Sequence, residues 1–218
     1  MVENQRERIF DSLAFVCALR GYGEVTLQDI TDHAGVSRRT FYDLFRDKED
    51  CFLAAHDLIM DQLLRAVGAA YSEGDRPWTE RMASALRAVI DRFGTEPEFA
   101  RLVIVEVLAA GRVALEHRDE ALRRFAVFWE PAIAMLPAEM TDGERLTQAV
   151  IGGLYEALYM AIVEGQTDQL PGLVPDLLYC VVVPYLGHEA ALQAREAERV
   201  AGVSRQSAPD PRAAAGTT

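Results

Sequence analysis

Apolar side chains recur along this chain every three to four positions, the spacing of one buried helical face. Ile9, Phe10, Leu13, Val16 and Cys17 define a first helix, which Gly21 and Gly23 close. Thr26 opens a second, with Asp29 three residues on as a short form of the capping box and Leu27, Ile30 and Ala34 as its inner stripe. Gly35 interrupts the chain. Ser37 then caps a third helix anchored by Phe41, Leu44 and Phe45, and Asp47 precedes a long fourth helix with Phe52, Ile59, Met60, Leu63, Leu64 and Val67 on one side. Beyond Gly74 and Pro77 the pattern predicts helices over 78–93, 97–110, 119–135, 141–165 and 171–186, with breaks at Gly94, Gly111, Pro137 and Gly165. Pro184 is expected to kink or end the last of them. No strand-like alternation of useful length and no internal repeat occurs, so the fold class is all-α. The last segment (204–218), rich in Ala, Pro, Ser, Gly and Thr, is expected to be a disordered tail.

Two short helices joined through Ala34-Gly35-Val36 have the length and glycine turn of a helix-turn-helix within residues 25–48. On a helical wheel Phe41, Leu44 and Phe45 of the second helix point one way, and Arg39, Tyr42, Asp43 and Arg46 the other, with Arg38 and Thr40 on the flanks. Arginine can form a bidentate pair with guanine, and tyrosine hydroxyls commonly bond phosphate. The same arc also fits an ordinary solvated face with i,i+3 and i,i+4 pairing.

Charge sharpens this picture only when taken by segment. The 218 residues carry a net charge of -12, which taken globally argues against DNA. Residues 37–48, however, hold Arg38, Arg39, Arg46 and Lys48 against Asp43 and Asp47. Phosphate affinity depends on local contacts, so a short basic face can work on an acidic body, with a weak non-specific term. Cys17, Cys51 and Cys180 are widely spaced, without a CxxC or a neighbouring His pair, and are expected to be reduced and packed as small apolar groups. Paired carboxylates at set spacing, a His-rich metal cluster, a glycine-rich phosphate loop and a Ser or Cys nucleophile signature are all missing, so neither an enzyme, a cofactor nor a metal is expected. The charged N-terminus lacks the apolar core of a signal peptide, and no apolar run is expected to approach the roughly 18–20 residues of a membrane span. A cytoplasmic location with no membrane partner is the expectation.

The run from Val25 to Asp50 resembles the signature of the tetracycline-repressor (TetR) family, most strongly at Ala34-Gly35-Val36-Ser37, Thr40-Phe41-Tyr42, Phe45 and Lys48-Glu49. Thr31 and Cys51 depart from it, standing where alanine and leucine are usual. By resemblance, Thr26, Arg38, Arg39, Thr40, Tyr42 and Lys48 match positions that contact operator DNA, with Tyr42 and Lys48 as phosphate anchors and Arg38 and Arg39 as base readers. The resemblance covers about the first quarter of the chain. It implies an N-terminal three-helix DNA-binding domain (1–50), a larger helical effector-binding and dimerisation domain (51–203), a homodimer on a pseudo-palindromic operator, and repression relieved by a small molecule. A ligand-independent dimeric DNA-binding protein is the alternative.

Small residues Gly152, Gly153, Ala157 and Ala161 and the stripe Leu173, Val174, Leu177, Leu178, Val181 and Tyr185 fit either a four-helix dimer interface or the core of one monomer. Phe93, Phe99, Phe125, Phe128, Trp129, Met135, Tyr155, Tyr159 and Met160 form an aromatic and sulfur-rich set that fits either plain core or the wall of an apolar cavity. From it Phe125, Phe128, Trp129, Tyr155 and Tyr159 are the candidate effector contacts. Glu106 joins them as a carboxylate inside an apolar run, with a solvent-facing position as its other reading, and His117 is expected in an exposed loop.

Overall fold

The computed structural model describes residues 2–137 and 142–206, and among these every regular element is helical. The N-terminal head consists of α1 (Val2–Arg20), α2 (Leu27–Ala34) and α3 (Arg38–Leu44). Ile9, Leu13, Ile30, Phe41 and Phe52 are almost wholly enclosed there, and the rings of Phe10, Phe41 and Phe45 meet at 5.4–5.5 Å. The predicted caps form. Thr26 and Asp29 exchange both bonds of a capping box, and the Ser37 hydroxyl accepts the Thr40 N–H. Gly35 takes φ 61° while the Val36 N–H returns to the Thr31 carbonyl at 3.0 Å, the turn that aims α3 away from α2.

Helix α4 (Lys48–Ser72) belongs to both halves of the molecule. Its first turns pack Cys51, Phe52 and Ala55 into the head; later turns bring Met60, Leu63 and Val67 against the body. The body is completed by α5 (Trp78–Thr95), α6 (Pro97–Ile104), α7 (Arg112–Phe125), the short α8 (Glu130–Ile133), α9 (Gly143–Val163) and α10 (Leu170–Gln206). Helices α4 and α10 pack on α5, while α6 lies between α1 and α9.

Several boundaries differ from the pattern. The helix predicted over 97–110 stops at Ile104 and continues as a 3-10 turn, Glu106–Leu108. The helix predicted over 119–135 begins at Arg112 and is broken by a 3-10 segment, Ala126–Trp129. His117 is therefore on α7 rather than in a loop, with Nδ1 2.9 Å from Asp57 of α4. Pro184 neither ends nor breaks α10; the non-helical residue is Gly187, at φ 83° and ψ 174°. Glycine alone adopts that backbone without strain, and helix resumes beyond it to Gln206, where Glu198 pairs with Arg87 of α5. Residues 204–206 are thus helix rather than tail, held in a segment that packs back on the body. The rest of the expected tail lies outside the described residues.

The stripe Val174, Leu177, Leu178, Val181 and Tyr185 is buried within the single chain. What α9 leaves exposed is another face, with Gly152, Gly153, Met160 and Val163. By length and composition two helical stretches are apolar enough to cross a membrane, Gly143–Val163 and Thr167–Ser204, although Glu156 and Asp176 interrupt their apolar runs. Only 22% of the α9 window is buried inside the chain.

Candidate functional site

Helix α3 is held by its inner face, which leaves the outer one free. Phe41 is fully enclosed and Phe45 nearly so, whereas Arg38, Arg39, Tyr42, Asp43 and Arg46 are exposed, Tyr42 at 58%. Arg38, Arg39, Tyr42 and Asp43 are on α3 itself, whereas Arg46, which the wheel placed on the same helix, lies past its end at Leu44. Two of them are already engaged locally. The Arg38 Nε donates to the Gln28 side-chain carbonyl at 3.0 Å, bracing the two helices of the motif. Arg46 forms an ion pair with Asp50 at 2.7 Å, and the Asp50 carboxyl is held below its ordinary range by the hydrogen bonds that Arg46 supplies. Among the described residues, Arg39 and Tyr42 project without a partner of this kind. Thr40 is half-buried beside Ser37, and Thr26 caps the N-terminus of α2 on the exposed surface.

Lys48 sits differently from the other basic residues. It is half-buried, and its Nζ donates to the carbonyls of Tyr22 and Val25 at 2.8 and 2.7 Å while lying 4.0 Å from the centre of the Tyr22 ring. The lysine therefore ties the first turn of α4 to the loop after α1. One of its three N–H donors remains for a phosphate.

Of the six candidate effector contacts, the fold gathers four around one cavity. Phe125, Phe128, Trp129 and Tyr155 line it together with Leu63, Met82, Leu86, Ile90, Phe93, Leu154, Leu158 and Leu177. Its volume is about 100 Å³ and its wall almost entirely apolar. Burial raises the Tyr155 phenol above its ordinary range, and the hydroxyl donates to the Ile104 carbonyl at the end of α6. Tyr159 is half-buried outside this wall. Met135 and Met160 turn to solvent, at 57% and 46% exposure, and Phe99 packs elsewhere. The aliphatic share of the wall comes mostly from α4, α5 and α9, with single residues from α6, α7 and α10, a convergence that a one-dimensional pattern does not encode. A wider cleft between α7 and α9, about 700 Å³ and flanked by Arg123, Arg124, Glu130 and Glu144, shares Leu122 and Ile151 with the cavity.

Glu106 corrects both readings made of it. It neither lines the cavity nor faces solvent, being 4% exposed. Its carboxylate accepts the Tyr22 N–H at 2.7 Å and pairs with Arg101 at 3.0 Å. The body thereby grips the head at Tyr22, the same residue whose carbonyl receives Lys48.

The sequence pattern of the bacterial regulatory proteins, tetR family, matches residues 9–55, the head and the first two turns of α4. No curated protein matches the chain. Among solved structures, the fatty acid degradation regulator FadR of Bacillus halodurans superimposes with a TM-score of 0.69 at 17% identity, covering 80% of this chain and 94% of its own. FadR of Bacillus subtilis, in complex with stearoyl-CoA, gives 0.67 at 21% identity, covering 81% and 97%. A TetR-like transcriptional regulator from Rhodococcus sp. RHA1 gives 0.60 at 17% identity, covering 82% and 96%. At these identities the likeness extends to the fold, head and body together.

Proposed function

Because this chain belongs, through residues 9–55, to the tetR family of bacterial regulatory proteins, we propose that it is a DNA-binding transcriptional regulator acting as a homodimer in the cytoplasm, and a repressor released from its operator by a small apolar effector. The observation that carries the DNA-binding part is the outer face of α3, where Arg39 and Tyr42 stand exposed on a helix locked from behind by Phe41 and Phe45. Arg39, and Arg38 once it leaves Gln28, supply the base contacts; Tyr42, Thr26, Thr40 and the last donor of Lys48 supply phosphate contacts. Two such heads related by a two-fold read a pseudo-palindromic site.

The effector part rests on the cavity. A ligand releases DNA only if it prefers a conformation in which the heads are wrongly placed. Two links carry such a preference from body to head: α4 itself, and the Glu106–Tyr22 bond. The stearoyl-CoA held by a protein of the same fold supports a small-molecule effector. Here, however, the cavity of about 100 Å³ is smaller than the roughly 300–1,000 Å³ of typical ligand sites. A long acyl chain would have to part Leu122 from Ile151 and open the cavity into the adjoining cleft. The alternative, a ligand-independent dimer, is what a filled body would favour.

Selection of genomic DNA fragments by the purified protein, with sequencing of those retained, tests the reading. The expected result is one enriched pseudo-palindromic motif, lost when Arg39 is replaced by alanine. Retention without any motif at low salt would overturn the sequence-specific reading.

A further inference from the structure

The cavity wall is apolar but not chemically blank. Two of its side chains carry an N–H or O–H donor, Tyr155 and Trp129. The Tyr155 hydroxyl is committed to the Ile104 carbonyl. The indole Nε1 of Trp129, a residue only 4% exposed, has no hydrogen-bond partner among the described residues. The other tryptophan shows what this position forgoes: Trp78 donates its Nε1–H to the Phe128 carbonyl at 2.9 Å, and Tyr71 donates to the same oxygen at 3.1 Å. That carbonyl, one residue from Trp129, is therefore fully subscribed. An unpaired buried donor costs about 1–3 kcal/mol, and native structures seldom keep one without a use. Water is a poor occupant, since a buried water needs two to four polar partners and this wall is almost entirely apolar.

We propose that Trp129 is the specificity-determining donor of the effector site, and that its ligand is an uncharged, mainly apolar molecule with one buried hydrogen-bond acceptor such as a ketone, ester or ether oxygen. The inference rests on the cavity being the effector site. The wall holds no charged side chain to balance an ion, and burying an unpaired charge is far costlier than burying a carbonyl. Its acceptors are the Tyr155 hydroxyl oxygen and the weak thioethers of Met60 and Met82. Selection by one polar group in an apolar pocket works through the penalty on the wrong ligand as much as the reward for the right one.

The test uses two probes of nearly equal shape, cyclohexanone and methylcyclohexane, with the full-length protein labelled with ¹⁵N at its two tryptophans. One indole signal, identified by its loss in Trp129→Phe, is expected to move downfield with cyclohexanone and to stay in place with methylcyclohexane. The Trp78 signal stays in place with both. Trp129→Phe is expected to weaken the ketone relative to the hydrocarbon by about 2- to 10-fold, the worth of one neutral hydrogen bond. The wild-type spectrum decides the matter even if the variant folds poorly. If both probes bind yet the Trp129 signal ignores the ketone, Trp129 is not the donor while the cavity remains a site. If neither probe binds, the donor assignment falls together with the effector reading of the cavity.

Discussion

Tyr22 is the residue on which head and body meet. Its N–H goes to Glu106 of the body, its carbonyl to Lys48, and its ring lies under the Lys48 ammonium. Lys48→Ala therefore does two things at once. Losing its charged hydrogen bonds, worth roughly 1–3 kcal/mol, is expected to lower the urea midpoint of the DNA-free protein, and losing the phosphate contact proposed for it is expected to weaken binding to every DNA sequence. Tyr42→Phe separates these effects: with a side chain so exposed, it should leave the urea midpoint unchanged while reducing affinity for all DNA. If Lys48→Ala left stability untouched, the internal bonds to Tyr22 and Val25 would contribute nothing. Glu106→Gln keeps an oxygen for the Tyr22 N–H but loses the charge opposite Arg101, and is expected to destabilise by about 1–3 kcal/mol in the same urea titration. The cysteines give a simpler readout. Burial lifts the Cys17 thiol to about 12, and raises Cys51 as well, whereas Cys180 is exposed. Since the thiolate is the nucleophile, Cys17 and Cys51 should resist thiol reagents at mildly alkaline pH until denaturant is added. Labelling of either in native protein would mean that the head opens.

At the scale of elements, what the sequence made legible was local. Gly35, Ser37, Thr26 and Asp29 act within four residues of themselves, and each caps or turns the chain where its chemistry predicts. Gly35→Ala tests this directly. The new methyl group would sit at φ 61° and 2.8 Å from the Arg8 guanidinium. The arginine tip can move away, so the cost is chiefly that of a left-handed residue with a Cβ, about 1–2 kcal/mol in thermal unfolding. The misplaced boundaries depend instead on distant partners. The helix over 97–110 ends early where Glu106 turns to a backbone N–H 84 residues away, a contact that no local periodicity contains. Pro184 drew the expected break because its ring lacks a donor, but α10 continues past it and turns at Gly187, whose positive φ the sequence offered no reason to prefer over the other glycines. The same distinction divides the candidate site. The outer face of α3 is a property of one short helix and was readable from a wheel. The cavity draws residues from six helices, so only its conspicuous aromatics were named and its aliphatic majority was not. Glu106 was noticed for its chemistry and placed wrongly for want of the α1–α6 contact.

For the whole molecule the governing quantities are charge and exposed apolar surface. A body that brings the chain to -12 repels DNA, so on the dimeric reading proposed above one head binds poorly and affinity comes from joining two. The contact surface we propose for this pairing is the uncovered side of α9. Gly152 and Gly153 let another backbone approach closely, and Met160 and Val163 supply apolar contact on a helix whose window is only 22% buried within its own chain. The stripe first considered on α10 is already spent on α5. Met160 is thus the place to break the dimer without touching the core. Met160→Glu puts a carboxylate on each side of a self-complementary face, where like charges meet across the two-fold. Sedimentation is expected to show the wild-type particle at twice the 24.2 kDa of one chain and the variant at that single mass, with unchanged helicity. Operator affinity should fall by about 10²–10⁴, the avidity lost when the second head is no longer tethered, although no residue of the reading face has changed. A variant that stays dimeric would place the interface elsewhere. One that becomes monomeric yet binds its site undiminished would show that a single head suffices, and with it the two-fold operator would go.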